Sequence, residues 1–277
     1  MKYQGSKSRI TKYIIPILQK CIDDNNLTYY CEPFVGGCNV IDKIHCQHLM
    51  GSDKNKYLIA LFKHLQQGGK LLDSVSRELY SSVRANYTNG TMEDWYIANI
   101  GFLASYNGRW FDGGYAQSGY EKTSNGQRYR DYYSEAKNNI LKQLPNIKDI
   151  ELFCKDYSDW NFDNIYDKVL IYCDPPYLNT KSYEVAKNFN YSDFWNTVRK
   201  WSEKSFVLIS EESAPSDFIC IWQQEVSRSI KSTDKSTAIE KLFTYKNGVY
   251  ANKYNHYINT DSDNINTVDF TKRFKLF

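Results

Sequence analysis

The apolar run Val169-Leu170-Ile171-Tyr172-Cys173 is followed without a break by Asp174-Pro175-Pro176-Tyr177, and no other junction in the chain constrains the fold as much. The run has the length of a strand, and its unbroken apolar character reads as a strand buried within a sheet. Two consecutive prolines then fix φ, remove two backbone donors and push Asp174 into an extended conformation. The turn is therefore rigid, keeps its carbonyl oxygens available, and presents Asp174 and Tyr177. Ligand sites of open α/β sheets lie at the carboxyl ends of strands, which is where this tetrapeptide stands.

The rest of the chain supplies an α/β setting. Ile10, Ile14, Ile17 and Leu18 predict a helix over 8–24, and Thr28 to Cys31 a short strand. A helix is expected from about Cys38 to His48, then a strand from Leu49 to Ser52 ending at Asp53. Tyr57, Leu58, Leu61, Phe62 and Leu65 form one helical face, stopped by Gly68-Gly69. Strand, glycine turn, helix, strand, acid, helix is the order of a βαβ unit in a parallel sheet. Residues 70–105 read as two or three helical pieces. Residues 106–130 carry glycines at 108, 113, 114, 119 and 126 and have loop or hairpin composition. Residues 131–144 are helical, stopped by Pro145. The α/β pattern returns with strands at Ile150–Phe153, Val169–Cys173 and Phe206–Ser210, a helix at Phe189–Trp201, and strands at Phe218–Glu225 and Lys241–Tyr245. The last fifteen residues have little pattern. One α/β domain, 1–60 and 145–277, is thus expected to be interrupted by an insertion over 61–144 that carries a hairpin loop at 105–130.

Three groups of residues carry chemistry. The exocyclic amine of a flat base is a poor nucleophile, because its lone pair is conjugated with the ring. The Asp174 carboxylate and the Pro175 carbonyl are two acceptors for its two N–H hydrogens, and accepting both localises the lone pair on nitrogen. Tyr177 is placed to stack on the base. The alternative is a Pro-Pro turn after a strand, with Asp174 only capping. The second group, Glu32-Pro33-Phe34-Val35-Gly36-Gly37, lies between the first strand and its expected helix. Glycines there allow close backbone approach to a ligand, and a helix N-terminus behind them favours a carboxylate. A strict G-x-G-x-x-G is absent, so pyrophosphate is not the expected guest. The third is Asp53, placed to bind ribose hydroxyls of a nucleoside cofactor; the competing role is an N-cap for the next helix.

Composition sets bounds. No apolar run approaches the ~20 residues that span a bilayer, and MKYQGSKSRI lacks the apolar stretch of a secretory signal; a cytoplasmic protein, monomeric in solution, is expected. Net charge is +3, which permits nucleic-acid binding without arguing for it. Seven cysteines without a C-x-x-C pair favour reduced thiols. Cys38, His45, Cys46 and His48 fit no common zinc spacing, and no metal is expected. The 24 tyrosines fit either an A/T-rich coding bias or base stacking.

Taken together, these motifs resemble the DNA adenine methyltransferases of the Dam type, the D12 class with the alpha order of motifs. Lys2-Tyr3-Gln4-Gly5-Ser6-Lys7 resembles the family's N-terminal cofactor segment, which implies that Tyr3 and Lys7 contact S-adenosylmethionine. Glu32 to Gly37 resembles its E-P-F-x-G-x-G turn, with Cys38-Asn39 where the last glycine would follow. Asp53 matches its ribose-binding acid. Lys155-Asp156-Tyr157 resembles the pair that holds the cofactor adenine. Asp174 to Tyr177 matches the catalytic tetrapeptide, and Glu240-Lys241-Leu242-Phe243 resembles a C-terminal segment. The resemblance implies a Rossmann-like S-adenosylmethionine-dependent methyltransferase sheet with an inserted, mostly helical domain that recognises double-stranded DNA.

The insertion suits that reading. Tyr106-Asn107-Gly108-Arg109-Trp110-Phe111 resembles the family's recognition loop. Phe102, Tyr115, Tyr120 and Tyr129 are interleaved with Lys122, Arg128 and Arg130, as in surfaces that bind DNA. Arg109 is expected at the tip of the hairpin, projected by the Asn107-Gly108 turn. A solvated hairpin packed by its own aromatics is the competing reading. The implied reaction flips adenine out of the duplex and transfers methyl to N6 without metal, with GATC a first trial site. Cytosine N4 methylation, methylation of a glutamine side chain or of RNA, and a DNA-binding protein without turnover are the rivals; Asp rather than Asn before Pro-Pro, and intact Asp53 and Lys7, weigh against them.

Overall fold

The computed structural model describes residues 1–123, 126–176, 189–231 and 234–258, with side chains described except at 227–231, 234–238 and 255–258. The chain is mixed α/β with mostly parallel strands. It divides into two compact units. One comprises Met1–Ile15, Val35–His45 and Leu49–Asp156; the other comprises Pro16–Phe34, Cys46–His48 and the described residues of Tyr157–Phe277.

In the first unit, β2 (His48–Asp53) and β5 (Glu151–Cys154) pair in parallel, with Asp53 beside Cys154. Helix α2 (Lys56–Gln66) follows β2 closely because the Asn55 side chain accepts the Tyr57 and Leu58 N–H groups. Its predicted apolar face, Leu58, Leu61, Phe62 and Leu65, is buried. Helices α3 (Arg77–Asn86), α4 (Asp94–Leu103) and α5 (Tyr132–Ile147) build the remainder. Helix α4 is buried throughout from Ile97 to Leu103, and so lacks an amphipathic stripe. Strands β3 (Gly119–Thr123) and β4 (Gly126–Arg130) form a separate antiparallel hairpin.

Three expectations need correction here. The helix predicted from Cys38 to His48 is only a 3-10 turn at Ile41–Lys43. Cys38 has φ +55, and Ile44 is extended, so helical geometry fails on both sides. Val40, Ile41 and Ile44 are all buried; their helix-like spacing reflects tertiary packing. The glycine turn is therefore not backed by an α-helix N-terminus. Helix α5 runs through Pro145 instead of stopping there. Pro145 lies in the last turn, and the carbonyl it leaves without a helical partner is that of Leu141, an exposed position. Finally, Arg109 is not at a hairpin tip. The hairpin proper occupies 119–130, and residues 106–113 form two 3-10 turns before it.

The second unit holds the strand order β1-β6-β7-β9-β8. Strand β1 (Tyr29–Glu32) is parallel to β6 (Val169–Cys173), which is parallel to β7 (Phe206–Glu211). Every residue of β6 and β7 is buried, as the apolar runs required. Helix α6 (Tyr191–Ser202) precedes β7 and buries Phe194, Trp195 and Val198. Strands β8 (Phe218–Lys231) and β9 (Asp234–Tyr245) are antiparallel and much longer than expected, because their polar outer halves carry no alternating pattern. Helix α7 (Val249–Ile258) was not anticipated; Tyr250, Ala251 and Tyr254 are buried on it, and the Tyr254 hydroxyl accepts from Asn25 Nδ2 at 2.9 Å. Among the described residues no helix is long and apolar enough to cross a membrane.

Asn99 ties the helical part of the first unit together. It is fully buried on α4; its Oδ1 accepts the Leu72 N–H at 3.0 Å, and its Nδ2 donates to the Tyr133 hydroxyl of α5 at 2.8 Å. Replacing it with an apolar residue leaves the partly buried Leu72 N–H without its acceptor. Asn99→Leu is expected to cost about 2–4 kcal/mol in urea unfolding; a loss under about 0.5 kcal/mol would show that water replaces the amide.

Candidate active site

The glycine turn and Asp53 form one constellation in the first unit. The Val35 N–H donates to the Ser52 carbonyl at 2.8 Å, which lashes the turn to the end of β2. Asp53 then accepts the Gly36 N–H on Oδ2 at 3.1 Å and the Asn55 N–H on Oδ1 at 2.8 Å. It therefore does not cap α2 with its own side chain; Asn55 does that. Tyr3 lies directly on the turn. A Cβ at Gly36, where φ is +47, would stand 3.1 Å from the Tyr3 ring, and one at Gly37 would stand 2.9 Å from Tyr3 Cβ. The glycines are needed so that the N-terminal segment can approach. Lys7 is buried, and Asp156 pairs with Lys54 at 3.0 Å.

Gln143 was not singled out from sequence, since a lone glutamine on a helix gives no signal. Its buried amide donates from α5 to the carbonyls of Gly37 at 3.1 Å and Cys38 at 2.8 Å. These bonds hold the carbonyl side of the glycine turn, which here lacks a following α-helix.

In the second unit, Cys173 at the carboxyl end of β6 lies beside Ile209, and β7 runs on to Glu211. Asp174 leaves β6 partly buried, Pro175 is buried and Pro176 is partly buried. Tyr177 lies outside the described residues. Next to Asp174, burial and then the Asp174 charge raise the Tyr172 hydroxyl and the Cys173 thiol well above their ordinary values. Glu32, at the end of β1, is buried and accepts the Tyr30 hydroxyl at 2.7 Å. Pro33 is buried and Val35, in the first unit, likewise. Phe34 stacks on Tyr157 with ring centres 5.3 Å apart, and both meet Phe189 and Phe194 edge-on or tilted. The second unit also contains a cavity of about 170 Å³ lined by Tyr191, Trp195, Glu211, Ser213, Ala214 and Pro215. The motif reading missed it, because its walls come from an unmarked helix start and a loop.

The residues expected to meet DNA separate into three groups, all in the first unit. Tyr106, Asn107 and Arg109 are exposed on the 3-10 turns, and Arg109 Nε donates to Gln4 Oε1 at 2.9 Å. Asn107 and Gly108 both have positive φ, and a Cβ at Gly108 would fall 2.3 Å from the Lys2 carbonyl oxygen. Trp110 and Phe111 face inward: Trp110 packs on Tyr57, Phe102 and Phe111, and Phe111 stacks on Tyr87. On the hairpin, register puts Tyr120, Lys122 and Tyr129 on one face and Glu121, Arg128 and Arg130 on the other. Lys122 and Arg128 are exposed. Arg130 is engaged within the protein, forked onto Glu135 at 2.8 and 2.9 Å and reaching Glu121 at 3.4 Å. Among the described residues no cluster of His, Cys, Asp and Glu is arranged to hold a metal ion.

Residues 3–227 match the family of D12 class N6 adenine-specific DNA methyltransferases, and the chain belongs to that family. It is 22% identical over 283 residues to "Modification methylase StsI" of Streptococcus sanguinis, an alignment covering 95% of this chain and 40% of that protein. It is 23% identical over 226 residues to "Type II methyltransferase M.FokI" of Planomicrobium okeanokoites, covering 72% of this chain and 32% of that one. The chain thus spans about two fifths and one third of the length of these relatives.

Burial pushes the Asp53 carboxyl up to about 6, against the two N–H bonds that pull it down. A carboxyl raised on folding favours the folded state while protonated, and that stability is lost as pH rises from about 4 through about 6. Asp53→Asn has no such titration. The stability of the variant minus that of the wild type is expected to increase between pH 4.5 and 7.5 in parallel unfolding titrations. A difference independent of pH would mean that Asp53 ionises as freely in the folded chain as in the unfolded one.

Proposed function

We propose that this chain uses S-adenosylmethionine to methylate the exocyclic N6 amine of adenine in duplex DNA. The observation that carries the reading is the family match across 3–227, together with an intact Asp174-Pro175-Pro176 at the end of a strand buried along its whole length. The printed description of the family, adenine N6, supports adenine over cytosine N4.

The residues present fit the cofactor. Asp53 is a partly buried carboxylate whose two oxygens each take one backbone N–H, which leaves acceptor capacity on both for ribose hydroxyls. In the first unit, Tyr3 against Gly36 and Gly37 offers an aromatic face beside the turn; in the second, the Phe34–Tyr157 stack offers an apolar wall for a flat ring. When bound, S-adenosylmethionine supplies an electrophilic methyl group; aromatic faces of Tyr3 or Phe34 would stabilise its positive charge.

For the amine, Asp174 accepts one N–H and the Pro175 carbonyl the other, and Tyr177 stacks on the ring. The target base must leave the stack to reach them, at a cost of roughly a few kcal/mol. Tyr106, exposed in the first unit, is the aromatic of the reading loop that fills the gap in this reading. Tyr106, Asn107, Arg109, Lys122 and Arg128 are the DNA contacts in this reading, with Gly108 shaping the loop. Trp110 supports it from within, and Arg130 holds the base of the hairpin. The printed name of one relative, a modification methylase, supports a role in modification, and GATC is a trial sequence.

Asp174→Ala is expected to lower methyl transfer by at least ~100-fold, as for loss of one positioned electrostatic group, with S-adenosylmethionine affinity retained in calorimetry. Wild-type turnover would remove Asp174 from the chemistry. Arg109→Ala tests the reading loop. If Arg109 reads guanine, methylation of the wild-type site falls by about 1–3 kcal/mol and discrimination relaxes at one base pair. If it contacts phosphate, all sites weaken alike and the salt slope becomes shallower by about one unit. Rates on single-base site variants at two salt concentrations separate the two, and no change in either would exclude Arg109 from DNA binding.

A further inference from the structure

The Pro-Pro turn cannot hold itself. Its rings lock φ at Pro175 and Pro176, and Pro176 confines ψ at Pro175 to the extended range, but ψ at Pro176 stays open and neither residue has an N–H to anchor the turn to a neighbour. Yet the amine chemistry proposed above needs the Pro175 carbonyl at one fixed angle, since a hydrogen bond weakens steeply as it bends. Something outside the turn must set it.

In the second unit the hydroxyl of Tyr191 donates to the Pro176 carbonyl. Tyr191 is the first residue of α6, directly after its N-cap Asn190, whose side chain accepts the Asp193 N–H. The ring is held from the other side by Phe189, edge-on at 4.9 Å, itself packed on Phe34, Tyr157 and Phe194. Tyr191 also forms one wall of the cavity that it shares with Trp195, Glu211 and Ser213. Burial and the nearby Glu211 raise its hydroxyl to about 12, so it remains a protonated donor throughout the neutral range.

We infer that Tyr191 is a positioning residue for methyl transfer, acting through the Pro176 carbonyl to orient the Pro175 carbonyl toward the target amine. A fixed Pro176 carbonyl restrains ψ at Pro176. With φ at Pro176 locked by the ring, the preceding peptide plane, which carries the Pro175 carbonyl, has little freedom left. The inference rests on the proposed amine chemistry.

The test uses the full chain and the duplex site mapped for the wild type. In Tyr191→Phe the ring packing survives and only the hydrogen bond is lost. Single-turnover methyl transfer is expected to fall about 10-fold, the equivalent of one buried hydrogen bond. Affinity for S-adenosylmethionine and the fluorescence of 2-aminopurine at the target position, which reports base extrusion, should stay within twofold of wild type. An unchanged transfer rate overturns the inference. So does a matching loss of cofactor affinity or extrusion, which would assign the tyrosine to general site architecture. Trp195→Phe, which perturbs the same helix without reaching Pro176, should leave the rate within about threefold; a loss equal to that of Tyr191→Phe would also overturn it. Asp174→Ala run alongside separates the two levels. Wild-type transfer there defeats the amine chemistry itself, whereas loss there with a normal Tyr191→Phe defeats only the role of Tyr191.

Discussion

Strands β6 and β7 lie side by side in parallel register, from Leu170 beside Phe206 to Cys173 beside Ile209, and the candidate chemistry depends on that ladder. Both strands are buried along their full length, at roughly 1.5–3 kcal/mol for each large apolar side chain removed from water. Inside them the Tyr172 hydroxyl and Ser210 Oγ meet at 2.7 Å, satisfying two polar groups that would otherwise oppose burial. Because the ladder is parallel, both strands release their chains at the same end. Asp174 emerges from one, and the loop after Glu211 emerges from the other. The rigid Pro-Pro turn is thus mounted on the least deformable part of its unit, with α6 beside it to set the one rotation that the prolines leave open.

The first unit solves a different problem, holding a strained turn without a helix behind it. Gly36 and Cys38 both have positive φ, and their conformation is maintained from outside. Tyr3 covers the glycines, Asp53 and Ser52 take the N–H groups, and Gln143 donates to the carbonyls. The same N-terminal segment reaches the elements proposed to meet DNA. The Lys2 carbonyl abuts Gly108, Gln4 accepts from Arg109, and Lys2 Nζ pairs with the Glu135 that grips Arg130. Residues proposed for cofactor and for DNA are therefore joined within the first unit by the three residues Lys2 to Gln4. Asp53 shows the cost of such a site: a carboxylate placed where burial disfavours its charge is a poor choice for folding alone.

Much of this was legible beforehand, for particular reasons. The strand at Val169–Cys173 and the turn after it were readable because an unbroken apolar run and two prolines act locally, whatever surrounds them. Helix α2 was readable because its apolar face and its glycine stop are periodic. The segment after Gly37 misled, because Val40, Ile41 and Ile44 are buried at helical spacing while Cys38 adopts a left-handed conformation that residue type does not announce. The continuation of α5 through Pro145 was hidden for the opposite reason: a proline one turn from a helix end removes little, and only the exposure of that end makes it tolerable.

What the sequence determined by itself is the chemistry on offer: the acid and paired carbonyls of Asp174-Pro175-Pro176, the glycines at 36 and 37, the acid at 53, and a basic, aromatic insertion. These depend on residue type and short spacing, which the chain carries with it. The tertiary structure alone decided which of those groups are free to act. Arg130 looks like Arg128 in sequence, but it is committed to Glu135 in the first turn of α5. Trp110 looks like Tyr106, but it is packed against Tyr57 and Phe102. Tyr191 and Gln143 looked like nothing in particular, and each acts on a backbone carbonyl far away in the chain, 15 residues for one and 105 or more for the other. A hydrogen bond to a main-chain carbonyl needs no particular residue at the accepting position, so it leaves no mark in the sequence that folding creates it from.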